Sequence, residues 1–325
     1  MKSRSFGRTS LQVSEIGQGT WSMGFMWGPP RDDEAVASLL RSLELGVTFI
    51  DTAYAYGEGH SERLIAQAFR EAKRRVTVAT KIPPKNMQWP ARHTTPVSQA
   101  FPGDWMVSMT EASLKNLAAD CLDIQQCHVW SDTWMGKGDW LETVARLKKA
   151  GKIRHFGISI NDHEPDSALL AVASGVIDSV QVIYNIFDQT PAERLFPLCQ
   201  QHGVGVIVRV PFDEGSLTGQ LTPNTKFGHD DWRRNYFTPE RLPETCRRVQ
   251  ALQPLVLKAG VSNLAQMALK HCLSHPAVST VIPGMRKIRH VEDAVRASDG
   301  IVLPAEVLSE LKHHAWPRNF YPKYD

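Results

Sequence analysis

The chain contains no run of 18 apolar residues, so nothing in it reads as a membrane-spanning helix. Its first residues, Met1-Lys2-Ser3-Arg4-Ser5-Phe6-Gly7, lack the apolar stretch of a secretory signal. Cysteine is scarce: Cys121, Cys127, Cys199, Cys246 and Cys272 are odd in number, and no two form a CxxC pair. That spacing argues against a disulfide framework or a zinc site, and no metal is expected. Cys121 and Cys127 flank or lie in an apparent strand, where they read as small buried hydrophobes. A reduced, cytoplasmic setting is the expectation. Charge of one sign is also missing, since 37 Lys and Arg face 34 Asp and Glu, leaving +3 with both signs interspersed. A nucleic-acid surface would concentrate its basic residues on one face, so a local anion site and a small-molecule partner fit better than nucleic acid or membrane. No repeat, low-complexity tract or linker divides the 325 residues, which read as one domain over 1–325.

What is present is a globular composition, 42% apolar and 22% charged, long enough to bury a large core. Short apolar runs at 14–19, 47–51, 76–81, 124–128, 153–159, 179–184, 205–210 and 279–283 predict strands. The run from Val204 to Val208 is nearly all Val and Ile, as in a strand covered on both faces. Between the runs, apolar spacing near 3.6 predicts helices at 33–45, 61–69, 106–117, 140–149, 166–173, 192–202, 264–273 and 291–297. Val36, Leu39, Leu40 and Leu43 make one such stripe. Repeated strand-then-helix units predict parallel strands with right-handed crossovers. Eight of them predict a (β/α)8 TIM barrel, with an open doubly wound sheet as the alternative. Two stretches break the rhythm: 83–104, with five prolines, and 213–239, with an aromatic and polar run. Both follow strands and so belong at the C-terminal face, where barrel active sites are built.

Four titratable residues stand at or just after strand ends: Asp51, Tyr56, Lys81 and His128. Any one alone reads as a polar residue marking where a strand surfaces. Four on neighbouring exits point at a common mouth. There Lys81 and Asp51 would pair, and the ammonium would lower the pKa of the Tyr56 hydroxyl, fitting it as a general acid.

These residues lie in Gly46-Val47-Thr48-Phe49-Ile50-Asp51-Thr52-Ala53-Tyr54-Ala55-Tyr56-Gly57, Ala79-Thr80-Lys81 and Leu122-Asp123-Ile124-Gln125-Gln126-Cys127-His128. With Gly151-Lys152-Ile153-Arg154-His155-Phe156-Gly157-Ile158-Ser159 and Val281-Ile282-Pro283-Gly284, these segments resemble the aldo-keto reductase superfamily over nearly the whole chain. The resemblance implies a single barrel with a catalytic tetrad of Asp51, Tyr56, Lys81 and His128, and NADP(H) as cofactor. In that scheme hydride from NADPH reaches a carbonyl carbon while Tyr56 protonates the oxygen. Lys81, held by Asp51, tunes Tyr56, and His128 orients the carbonyl.

The resemblance carries cofactor contacts over less evenly. Ser159 and Gln181 match positions that hold the nicotinamide carboxamide. The family commonly has Asn directly after that Ser; here Ile160 intervenes, so either Asn161 substitutes by a shifted backbone or one contact is lost. Where many members stack an aromatic, this chain has Arg209 before Pro211. Arg209 either stacks its guanidinium on the nicotinamide or pairs with Asp213 or Glu214. Gly215, Leu217 and Gly219 resemble the pyrophosphate loop. Gly284, Arg286 and Lys287, with Arg289, look like the adenosine 2′-phosphate site, although a solvated basic turn is the plain alternative. Ala294 replaces a frequent adenine-binding Asn, leaving Asp293 to help. Trp21, Trp27, Tyr54, Trp89 and Trp130 are candidate walls for a small carbonyl substrate such as a sugar or aldehyde, although each Trp equally suits a core. His128, Trp130, Asp132 and Arg92 are candidate hydroxyl binders. The competing readings are a non-catalytic nucleotide sensor of the same architecture and a barrel enzyme with a Schiff base at Lys81.

Overall fold

Parallel strands form where the apolar runs predict them. The computed structural model describes residues 1–24 and 31–321. An antiparallel hairpin, β1 (Ser3–Ser5) and β2 (Gln12–Ser14), comes first. Then β3 (Gln18–Gly19), β4 (Phe49–Asp51), β5 (Thr77–Ile82), β6 (Leu122–Cys127) and β7 (Ile153–Ser159) lie side by side in chain order. β8 (Ser179–Ile183), β9 (Gly205–Arg209) and β10 (Val278–Val281) continue the series. Parallel bridges from Ile16 to Val281 and from Gly19 to Gly284 join the two ends, so the sheet curls into a (β/α)8 barrel rather than an open sheet.

Side chains alternate across each strand. Phe49, Ala79, Ile124, Ile207 and Ile282 form one buried layer inside the barrel together with Phe6 and Val13 of the hairpin. The hairpin therefore plugs one end of the barrel, a role that its short, polar strands did not reveal. Gly205 permits this approach, because a Cβ there would meet the Phe6 ring at 2.9 Å. Two residues beyond the layer, on the same strands and the same side, stand Asp51, Lys81, Gln126 and Arg209. The opposite faces of the strands supply Ile50, Val78, Ile82, Ile158, Val180, Val206 and Val208, which pack against Leu39, Leu43, Ile65, Phe69 and Leu147 of the surrounding helices.

The helices Asp32–Glu44, Trp140–Lys149 and Leu264–Leu273 match their apolar stripes. The helix expected at 166–173 is instead a 3-10 turn, Pro165–Ala168, followed by Leu169–Ala173. Asp132 sets that start by accepting from the N–H groups of Leu170 (2.6 Å) and Ala171 (3.2 Å). The 213–239 stretch is only partly loop: it holds a 3-10 segment, Asp213–Thr218, and a short helix, Arg233–Tyr236. Helices Arg241–Ala251, Gln253–Lys258 and Ala305–Lys312 lay outside the predicted rhythm. They build a second apolar cluster around Leu252, Leu255, Val307 and Leu311, and Leu217 anchors the 213–219 loop in it. The 83–104 stretch is pinned: the Trp105 indole donates to the Pro83 carbonyl (2.8 Å), and that of Trp134 to the Thr95 carbonyl (2.7 Å). No described helix is long and apolar enough to cross a membrane.

Candidate active site

The ends of β4, β5 and β6 bring the four predicted residues together. Lys81 Nζ donates to Asp51 Oδ2 (2.7 Å), to the Thr52 carbonyl (2.8 Å) and to Tyr56 Oη (3.4 Å). Neither member of the ion pair is more than 3% exposed, so solvent screens it little. Gln181, from β8, donates to the other oxygen of Asp51 at 2.6 Å. The Tyr56 ring lies with its centroid 5.0 Å from Lys81 Nζ, and meets the His128 ring edge-on at 5.7 Å. Trp89, from the 83–104 stretch, approaches His128 from another side at 5.8 Å.

Burial drives the electrostatics. It pushes the Asp51 carboxyl up and the Lys81 ammonium down, and each partner's charge opposes the other's shift. Burial, followed by repulsion from Asp51, raises the Tyr56 hydroxyl well above its ordinary value. This corrects the expectation that Lys81 would lower it. The ammonium charge is spent on Asp51 and the Thr52 carbonyl, while the nearby carboxylate disfavours phenolate. Tyr56 is thus held as a protonated phenol. Burial, then Lys81 and Arg209, holds His128 well below its ordinary range, so its imidazole is neutral. The buried Nδ1 of His128 has no hydrogen-bond partner among the described residues. The arrangement presents one proton donor and one neutral imidazole at a mouth whose cation is already compensated. That suits protonation of an oxygen on a small molecule.

Around this centre, Ser159 Oγ lies 3.5 Å from Gln181 Oε1. Asn161 is engaged elsewhere: its amide exchanges two 3.0 Å hydrogen bonds with the backbone of Ala91 and donates to Glu164 at 2.8 Å. Arg209 pairs with Asp162 (2.8 Å) and donates to the Ile160 carbonyl (2.9 Å), so its carboxylate partner is neither Asp213 nor Glu214. Asp162 follows β7, which is separated from β9 only by β8, a proximity that the strand order creates. Beyond the buried Pro211, Gly215 has φ +101° and Gly219 +74°, values suited to glycine. Arg286 and Lys287 are half-buried and Gly284 and Arg289 exposed, just before or within the first turn of the helix Ile288–Arg296. Asp293 is held by the side-chain amides of Asn263 and Gln266, both at 3.3 Å, two neighbours that sequence reasoning did not single out.

Of the aromatic candidates, Trp21 is half-buried against Trp232, with centroids 5.0 Å apart. Tyr54 is half-buried and Trp89 faces His128. Trp27 lies outside the described residues. Trp130 is 0% exposed, packed edge-to-face on Trp134 and Trp140, and its indole donates to Asp132 at 3.0 Å. It is therefore core rather than pocket wall. Asp132, which also caps the helix Leu169–Ala173, is likewise spent on structure. Sequence reasoning missed Trp232, Asp162, Arg318 and Tyr321; all four are remote in sequence from the four-residue centre.

The family model described as the aldo/keto reductase family matches residues 15–315. The aldo-keto reductase YhdN of Bacillus subtilis is 30% identical over 299 residues, covering 90% of this chain and 87% of that one. The NADH-specific methylglyoxal reductase of Escherichia coli is 28% identical, covering 91% and 93%. Among solved structures, the holo form of an aldo-keto reductase from Bacillus halodurans superposes with a TM-score of 0.76 at 27% identity, covering 97% and 96%.

Proposed function

The chain belongs to the aldo/keto reductase family, and on that premise we propose that it reduces an aldehyde or ketone to the alcohol with NADPH, Tyr56 donating the proton. The observation that carries this reading is the Lys81 ammonium reaching Asp51, Thr52 and Tyr56 at once, beside a neutral His128. The residues present fit a dinucleotide. Ser159 and Gln181 offer amide partners at the centre, and the Nε of Arg209 is buried without a hydrogen-bond partner among the described residues. The glycine-bearing 213–219 loop offers backbone N–H groups, and Arg286, Lys287 and Arg289 place positive charge at a helix start. A reduced nicotinamide supplies hydride when bound. Tyr56 gives its hydroxyl proton to the substrate oxygen, and His128 positions that oxygen by a hydrogen bond. Trp21, Tyr54 and Trp89 shape a small pocket suited to the flat face of a sugar or small aldehyde. A reducing, cytoplasmic setting goes with this reading, since the odd number and spacing of the five cysteines do not make a disulfide framework.

Titration with NADPH and NADH, followed by a panel of aldehydes and keto-sugars, tests the proposal. Tight NADPH binding with loss of reduced nicotinamide on any panel member supports it. Tight binding without turnover would favour the sensor reading, and no binding would end both. Within this experiment, Arg286→Ala should weaken NADPH at least tenfold while changing NADH less than about twofold, since a charged phosphate contact is being lost. Equal losses for the two nucleotides would remove the 2′-phosphate assignment.

The pH profile has a defined sign. His128 is lowered, so it protonates only well below its ordinary range; Tyr56 is raised, so it ionises only above its own. Neither changes charge between about pH 6.5 and about 9, so kcat/KM for reduction should be flat across that window in the Glu214→Gln variant, which removes a carboxyl of the 213–219 loop pushed up to about 8. A limb inside it, in steady-state kinetics with saturating nucleotide, would show that another group controls the proton.

A further inference from the structure

The 213–219 loop carries two adjacent buried carboxylates, Asp213 (0% exposed) and Glu214 (4%). A loop whose backbone is to face an anion should not hold unbalanced negative charge, because like charges at short range in a buried site repel strongly. The residues that resolve this come from the far end of the chain. Arg318 pairs with Asp213 at 2.6 Å, the two side chains being 7% and 1% exposed. Asp213 also accepts from Tyr236 Oη (3.0 Å) and Ser216 Oγ (2.7 Å). The Arg318 guanidinium stacks 4.0 Å from the Trp316 ring centroid and 5.2 Å from that of Phe187. Tyr321 donates its hydroxyl to Glu214. Burial chiefly, with Asp213 and Asp162 adding to it, pushes the Glu214 carboxyl up to about 8, leaving it mostly neutral at pH 7.

The segment 316–321 is itself tied down. The Trp316 N–H donates to the Phe187 carbonyl (2.8 Å), and Arg241 donates to the Phe320 carbonyl (3.0 Å). Tyr321 stacks on Trp232 at 5.7 Å, and Trp232 meets Trp21 at the mouth. Beneath it, Val210 (φ +55°), Asp213 (+46°) and Glu214 (+55°) hold a left-handed backbone that L-residues seldom adopt, so the loop needs outside support to keep its shape.

We propose that the segment 316–321 is a latch on the 213–219 loop, and that Arg318 is a positioning residue for the dinucleotide pyrophosphate: it neutralises Asp213 and holds the loop's backbone donors in place. This rests on the reading of the chain as an NADPH-dependent reductase. It acts through the loop rather than by touching the nucleotide, so its signature is selective. Loss of Arg318 should weaken NADPH, which carries a pyrophosphate, and spare adenosine 2′-monophosphate, which has no phosphate at its 5′ position.

The experiment is a fluorescence titration of the full chain and of Arg318→Ala, Arg318→Lys and the double variant Arg318→Ala/Asp213→Asn with both nucleotides. Arg318→Ala should weaken NADPH roughly tenfold or more and adenosine 2′-monophosphate less than about twofold, the loss expected when one partner of a buried ion pair is removed. The double variant, which leaves no lone carboxylate, should recover most of that loss. Unchanged NADPH affinity in Arg318→Ala, or equal weakening toward both nucleotides, would overturn the latch while leaving the reductase reading intact. If Arg318→Ala does not fold, Arg318→Lys carries the same comparison: it keeps the charge but loses the planar fork and its stacking. Selective weakening supports the latch, and parity with the wild type overturns it. A wild type that binds neither nucleotide would remove the reductase reading itself, and the latch with it.

Discussion

Tyr56→Phe lowers carbonyl turnover by about 10²–10⁴-fold while NADPH affinity stays within about twofold, the range expected for removing one general acid. The substitution deletes a single oxygen. The ring that packs beside Lys81 Nζ (5.0 Å) and His128 (5.7 Å) remains, so neither neighbour has cause to move. Lys81 keeps its two shorter contacts, to Asp51 and the Thr52 carbonyl, and loses only the 3.4 Å one. No other protonated group stands in the same place, since His128 is neutral and Lys81 is already committed. The comparison is kcat and KM for the best substrate of the panel beside a nucleotide titration. Turnover at the wild-type rate would mean that Tyr56 is not the donor.

Lys81→Met is the second large effect, and it strikes stability as well as activity. Asp51 would remain inside the barrel with Gln181 as its only other side-chain hydrogen-bond partner among the described residues. Breaking a buried pair on one side costs about 3–5 kcal/mol, because an uncompensated charge stays buried. Without the ammonium, nothing opposes the burial that already pushes the Asp51 carboxyl upward. A carboxyl raised in the folded state binds more protons there than in the unfolded chain, so stability falls as pH rises from the unfolded pKa to the folded one. The variant should therefore melt at higher temperature near pH 4 than near pH 7 when each is compared with wild type at the same pH. Adding Asp51→Asn should restore part of the lost stability, which a thermal-melt double-mutant cycle measures. Equal melting of Lys81→Met and wild type at pH 7 would show that the pair does not anchor the barrel.

The centre was legible in the sequence because strand periodicity is two. Phe49 and Asp51, Ala79 and Lys81, and Ile124, Gln126 and His128 share parity, so an apolar layer below implies polar groups above on the same inward side. Repeated strand and helix units then bring their ends to one face. The basic turn at Arg286 and Lys287 and the glycines of the 213–219 loop were singled out by the family resemblance rather than by any local pattern; the structure shows a helix start at Ile288 and positive φ at Gly215 and Gly219.

Trp130 illustrates the limit of that kind of reading: on periodicity alone it passes for a pocket wall, and only packing against Trp134 and Trp140 shows it to be core. The partners of Asn161, Arg209 and Asp213 were hidden for a related reason. Each is chosen by segments that tertiary packing brings together from separate parts of the chain: Asn161 with Ala91, Arg209 with Asp162, and Asp213 with Arg318. The sign of the Tyr56 shift likewise depended on tertiary packing, since burial and the placement of Asp51 outweigh an ammonium that the sequence could only place nearby. The sequence by itself determined the alternation of strands and helices and put Asp51, Tyr56, Lys81 and His128 at strand exits, because both follow from short-range periodicity repeated along the chain; their grouping as one catalytic set came from the family resemblance. Which charges balance one another, and which side chains stay accessible, was decided only by the tertiary structure, since burial and ion pairing are properties of residues brought together from distant parts of the chain.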